Sequence, residues 1–336
     1  MSDSKEAKEV FNDRIKEVHI QREEVTVFNQ LCQEGKAISG LEKEECETLL
    51  KDLDNDNVEY SNDMVIDMIL DYVIKSTSDL KLKEVLENIK VANISSDDSI
   101  IGRAYPKYFD GSYYIEIGRN FERRIRLLSD IFAVLFMLNE KLEVVEYLVL
   151  HELLNANMQR FSKNEENNNS YNRVQLNMMY CDKMIGNNFS DKYITYASEI
   201  QEISTAFFVG HEIGHHYYGH TEQDSNSTTQ DKTKELMADR YGIGFAFDYL
   251  ESAYANSNRS YGIHQFAGIF IPLIVSAYLC DDIFEDKKNH PSIAKRLRGV
   301  QMQLQKLLDK AGYQEVEKYI FKLYEIIGHP KIIFEN

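Results

Sequence analysis

The chain has 336 residues, 43% of them hydrophobic, which is long and apolar enough to bury a sizeable core and too apolar for a disordered chain. A formal net charge of -17 excludes nucleic acid and anionic membrane surfaces as main partners, because both would repel it. Cys32, Cys46, Cys181 and Cys280 lack CxxC spacing, and residues 1–8 hold no apolar signal core; free thiols in a cytoplasmic protein are the expectation.

From Lys5 to about Leu53 apolar residues recur at helical spacing among charges (Val10, Phe11, Ile15, Val18, then Leu41, Leu49, Leu50), which predicts amphipathic surface helices. Asp52 to Asn57 begins like a calcium loop, but Asn57, Glu59 and Asp63 stand where glycine, an aliphatic residue and glutamate are needed, so a solvated loop is expected. Ser61 or Asn62 can cap an apolar helix to about Lys75, and Asp79 can open another to about Ile89. These segments make up an acidic N-terminal helical region, 1–90. The texture then turns β-rich at 91–94, 99–102 and above all 111–118, bounded by turn residues, so a small sheet is expected there.

Helices are expected to resume at about Asn120, with a helical insertion at about 140–197 and an exposed polar loop at 164–170. Phe266 to Cys280 is apolar for fifteen residues; a membrane span needs roughly twenty, and Pro272 interrupts it, so a buried core helix is expected and no stable membrane insertion.

The chemistry concentrates in Gly210-His211-Glu212-Ile213-Gly214-His215-His216. Ser198 with Gln201 forms an S-x-x-Q capping box that would start this helix, running to about Tyr218. Four residues of helix set His211 and His215 about 40° apart around the axis and about 6 Å along it, so both imidazoles can face one ion. Glu212 is displaced beside them, where a carboxylate can reach an activated water without binding the metal. Gly210 and Gly214 leave room for another element to pack closely. By composition H-E-x-x-H arises by chance in about one such chain in forty, so it is insufficient alone. His151-Glu152-Leu153-Leu154-Asn155 begins the same way but lacks the second histidine, and His151 reads as structural.

A third ligand is needed. The class ending H-E-x-x-H-x-x-G-x-x-H would need glycine at position 218 and histidine at 221, where the chain has Tyr218 and Thr221. His216 points away from His211 and His220 falls near the helix end, so ordinary hydrogen bonds are their expected roles. Asp231 or Thr233 can cap a second helix through Leu250, on which Glu235 and Asp239 share a face. Glu235 would complete an open three-ligand site, and Asp239 could hold the remote nitrogen of a ligating histidine.

His211-Glu212-x-x-His215 followed by Glu235-x-x-Ala238-Asp239 resembles the gluzincin peptidases, especially the group containing the CAAX prenyl protease and the bacterial heat-shock membrane protease. His290-Pro291 with Arg296-Leu297 is similar to that group's H-P-x-x-x-x-R-[IL] element, and by resemblance His290 would help stabilise the tetrahedral intermediate. The short interval between His215 and Glu235 is closer to compact cytoplasmic anti-repressor and phage-exclusion metallopeptidases. The resemblance spans roughly 112–300 and implies that segment 112–118 is the strand along which substrate lies. The residues of the His290 element also read as a helix start with Pro291 at its first position and a core seam of Ile293, Leu297, Val300, Leu304 and Leu307.

The expectation is a predominantly helical α+β protein with a zincin-like metallopeptidase core over 91–336. It would be a zinc-dependent peptidase acting on peptide or protein substrates, an endopeptidase rather than an exopeptidase. Zn2+ would sit on His211, His215 and Glu235, Asp239 behind them, Glu212 as general base, and His290, or a tyrosine such as Tyr241, at the oxyanion. The alternative is a non-catalytic zinc-bearing regulatory or interaction protein whose metal staples two helices; such a site would not need Glu212.

Overall fold

The computed structural model describes residues 61–95, 102–105, 112–118, 124–126, 128–129, 132–133, 136, 190–221, 228–255, 262–278 and 282–326. The helices expected before residue 61, the 52–57 and 164–170 loops, residues 99–101, His151, the four cysteines and most of the 140–197 insertion lie outside them. Within them the chain is mainly helical with one small sheet, an α+β arrangement as expected.

Helix α1 (Ser61–Ser76) buries Ile66, Ile69 and Val73 along one stripe. Asp79 caps α2 (Leu80–Glu87) as expected: its side chain accepts from the N–H groups of Lys81 at 2.9 Å and Leu82 at 3.2 Å, two donors the first turn leaves without partners. Strands β1 (Ile89–Ser95), β2 (Gly102–Ala104) and β3 (Tyr113–Gly118) form a sheet of order β1-β3-β2. β1 runs parallel to β3 with Ile89 opposite Tyr113, and β2 antiparallel with Gly102 opposite Ile117. Every residue of β3 is buried. A strand paired on both sides has no free backbone edge to offer a peptide, so the segment expected to carry substrate is the sheet's centre. The edge nearest the functional residues is β2 instead.

Helix α3 (Ser190–Tyr217) starts eight residues before the expected cap. Ser198 lies mid-helix and exposed, while Ala197, Ile200 and Ile203 continue the buried stripe on both sides of it; a capping-box pattern on a solvent face does not break a helix whose apolar period runs on. Helix α4 (Thr228–Tyr254) also begins earlier than expected, placing Asp231 in its first turn, where its charge favours the helix dipole.

The two helices pack closely because small residues line the contact. A Cβ added to Gly210 would come within 2.7 Å of the Phe245 Cβ, and one on Gly242 within 2.6 Å of the Phe207 carbonyl and 3.0 Å of the His211 nitrogen. One on Gly214 would meet Tyr241 and Ala238. This approach brings Glu235 and Asp239 against the histidines.

The apolar run after Ile263 is buried, as expected, but is two helices, α5 (Ile263–Gly268) and α6 (Ile271–Tyr278). Pro272 falls in the first turn of α6, where its missing N–H costs nothing; further along a continuous helix it would have removed a bond and clashed. Among the described residues no helix is long and apolar enough to cross a membrane. Ser292, not Pro291, sets the start of α7 (Ile293–Leu307): its hydroxyl accepts from Lys295 N–H, and Pro291 precedes the cap. Leu297, Val300 and Leu304 are buried, each stabilising the fold by about 1.5–3 kcal/mol, but Leu307 at the helix end is 53% exposed and outside the core. Helix α8 (Lys310–Ile326) closes the described chain with Tyr313, Val316 and Ile320 inward.

Candidate metal centre

Helices α3 and α4 bring His211, His215 and Glu235 to one point. Nε2 of His211 lies 3.3 Å from Nε2 of His215, and the Glu235 oxygens lie 3.6 Å and 3.5 Å from those two nitrogens. Tetrahedral zinc with bonds of about 2.0–2.1 Å spaces its ligand atoms about 3.3–3.4 Å apart, so the triangle fits such an ion. Among the described residues this is the one group of histidines, cysteines and acids close enough to hold a metal.

The surroundings fix which nitrogen of His211 faces the triangle. Its Nδ1 donates to Asp239 Oδ1 at 3.0 Å, leaving the Nε2 lone pair for a metal. Asp239 accepts from Arg296 as well, with Nε at 2.8 Å from Oδ2 and Nη2 on Oδ1, and Arg296 Nη1 lies 3.8 Å from Glu235 Oε2. The single guanidinium charge thus lies against both buried carboxylates, bonded to Asp239 and close to Glu235. Burial pushes the Asp239 carboxyl up, but the charge and hydrogen bonds of Arg296, then His211, outweigh it and hold it below the usual range. Glu235 follows the same logic: burial raises it, and the His290 hydrogen bond with the charges of His211, Arg296 and His215 brings it well below. Burial pushes His211 down, yet Asp239 outweighs it and makes the ring more basic, while burial and the neighbouring His211 lower His215 to about 3.

Glu212 behaves differently. Burial and the nearby Glu235 charge raise its carboxyl, against the pull of His211, Arg296 and a hydrogen bond from the Ala104 backbone. Its place under β2 is tight: a Cβ on Gly102 would fall 2.7 Å from Glu212 Oε1 and 2.4 Å from the Phe208 ring. Tyr105 N–H donates to the Tyr114 carbonyl, so Tyr105 and Arg103 point their backbone groups into the sheet, and alternation turns those of Gly102 and Ala104 outward beside Glu212.

His290 stands 54% exposed with Nδ1 3.2 Å from Glu235 Oε2. Its segment is pinned by Asp286, which accepts from Ser292 N–H at 2.8 Å, Lys295 Nζ at 2.8 Å and Lys232 Nζ at 3.1 Å, joining α4 to the start of α7. Tyr241 packs on Gly214, Tyr217 and Tyr218. His216 turns away, as expected, with Nε2 3.2 Å from the Tyr114 carbonyl and its ring against Tyr113, which ties α3 to β3; burial lowers it to about 4.

Residues 151–314 match the model of a family described as Peptidase U49. That stretch is just under half of the chain and contains His211, Glu212, His215, Glu235, Asp239, His290 and Arg296, so the match supports a peptidase. No curated protein and no solved structure matches the chain. The sequence missed the buried partnership of Arg296, the edge role of Gly102 and Ala104, the Asp286 clamp and the position of His220. Only Arg296 left a signal, the spacing H-P-x-x-x-x-R.

Proposed function

We propose that this chain is a zinc-dependent peptidase with a zincin-like core, its metal held by His211, His215 and Glu235. The observation that carries the reading is the convergence of three donor atoms, at separations of 3.3 to 3.6 Å, next to a buried carboxylate that is not one of them. Zinc in such a site lowers the pKa of water and polarises a carbonyl.

The protein's own groups do the rest. Glu212 receives the proton of the attacking water and returns it to the leaving amine. Burial raises its affinity for a proton, which suits that shuttle, and the Ala104 N–H orients the carboxylate. The outward backbone groups of Gly102 and the Ala104 carbonyl offer an extended peptide an edge to pair with, bringing its carbonyl past Glu212. Recognition through the backbone needs no chain terminus, which favours an endopeptidase. His290 orients Glu235 through Nδ1 and, half in solvent, is available to donate to the oxyanion.

The test compares new peptide termini generated in a proteome extract by wild type and by Glu212→Gln. Cleavages present with wild type and missing with a variant that keeps its metal are expected; undiminished cleavage by the variant would remove Glu212 from the mechanism.

A further inference from the structure

His215 has a neighbour on its other ring nitrogen. Just past the end of helix α3 at Tyr217 comes Gly219, whose φ of +67° is the left-handed conformation that glycine adopts most easily. Gly219 N–H donates to the His216 carbonyl at 3.0 Å and His220 N–H to the His215 carbonyl at 2.8 Å, the paired bonds of a glycine-terminated helix. The turn folds the chain back onto the last helical turn. His220 Nδ1 arrives 3.3 Å from His215 Nδ1, with ring centroids 5.2 Å apart at 71°. The Tyr218 ring stacks on His220 at 5.4 Å and 25°, holding it in that orientation.

Two imidazoles bond through facing nitrogens only when one carries the proton and the other does not. With the proton on His215 Nδ1, Nε2 presents its lone pair to His211 and Glu235; with the opposite tautomer, an N–H would point at the cation. We infer that His220 is a positioning residue that accepts from His215 Nδ1 and so fixes the metal-binding tautomer, as Asp239 does for His211. The inference rests on the metal reading above. It also accounts for the difference in the two partners. His211 has a carboxylate behind it and His215 a neutral acceptor, so the site gains a second tautomer lock without another negative charge beside Glu212, Glu235 and Asp239.

Three proteins test it: wild type, His220→Phe, which keeps the ring and its stacking on Tyr218 without an acceptor, and His220→Asn, whose amide oxygen stands where Nδ1 was. The zinc dissociation constant of each metal-free protein is measured by competition with a chromophoric chelator, alongside its thermal melting. His220→Phe should bind zinc about 10- to 100-fold more weakly, and His220→Asn should lie within about threefold of wild type. Melting of the metal-free forms should be alike. Equal affinity for wild type and His220→Phe, equal loss in both variants, or a larger loss in Asn than in Phe would each overturn the acceptor role. Should His220→Phe not fold, His220→Leu, which likewise has no acceptor at that position, must show the same loss; unchanged zinc affinity there refutes the proposal. Wild type that binds no zinc through His211 and His215 would overturn the metal reading itself, whereas zinc bound equally well with and without His220 overturns the positioning alone.

Discussion

Helix α3 carries two histidine–carboxylate clusters made of the same residue types, and they are wired in opposite ways. Toward its start, Glu199 pairs with His264 Nε2 and accepts from the Tyr254 hydroxyl at 3.0 Å. Gln265 donates to that hydroxyl at 2.6 Å and accepts from Gly262 N–H at 2.8 Å. Donors there meet acceptors, and the cluster closes on itself. Toward its end, two imidazole nitrogens and two carboxylate oxygens converge on one point, and in the proposed metal site their lone pairs face the cation while Asp239 and His220 hold the ring protons on the far side. A buried histidine beside an acid is therefore no sign of a site. Three side chains whose ligand atoms converge at metal-ligand spacing are, because one cation can then bind them all.

The sharpest way to break this comparison is to exchange the two clusters' phenotypes. Glu212→Gln should lower peptide turnover by about 100- to 10,000-fold with melting unchanged. Next in size, Arg296→Met leaves Asp239 buried without its cation and should destabilise the metal-free protein by about 3–5 kcal/mol in urea denaturation. Glu199→Gln at the closed cluster should cost about 1–3 kcal/mol of stability yet leave zinc affinity and turnover at wild-type levels. Weakened zinc binding in that variant would show that the two clusters are not independent.

The smallest effect concerns Glu202, which accepts from the Tyr249 hydroxyl at 2.9 Å and whose carboxyl burial pushes up. A folded pKa above the unfolded value of about 4.3 means that the folded state holds more protons in that window, so stability falls as pH rises through it. Glu202→Gln should thus be more stable than wild type at neutral pH, by under about 1 kcal/mol, with the gain gone below about pH 4. Melting curves at the two pH values check the sign.

How much of this was legible in the sequence follows from range. His211, His215, Glu235 and Asp239 sit four apart on helices, so each pair's common face is a local property and could be read directly. The glycines hinted that the helices meet, and Asp79 announced its own cap. What failed were features set by distant partners. The edge strand beside Glu212 is β2 rather than β3 because β1 and β2 occupy both sides of β3, a pairing that no local pattern encodes. Glu199 finds His264 across 65 residues, and Ser198 looked like a cap because residues 171–197 are too mixed in sequence to show that the helix begins before it. His220 was visible as a residue, but its role depends on the φ of Gly219, which turns a trailing histidine back under its neighbour.

Zinc content of the purified chain, measured by mass spectrometry of the metal under non-chelating conditions, tests the central claim most directly. One equivalent per chain is expected in wild type, Glu212→Gln and Glu199→Gln, and its loss in His211→Ala, His215→Ala and Glu235→Ala. Less than about half an equivalent in wild type, or a full equivalent in Glu235→Ala, would contradict it.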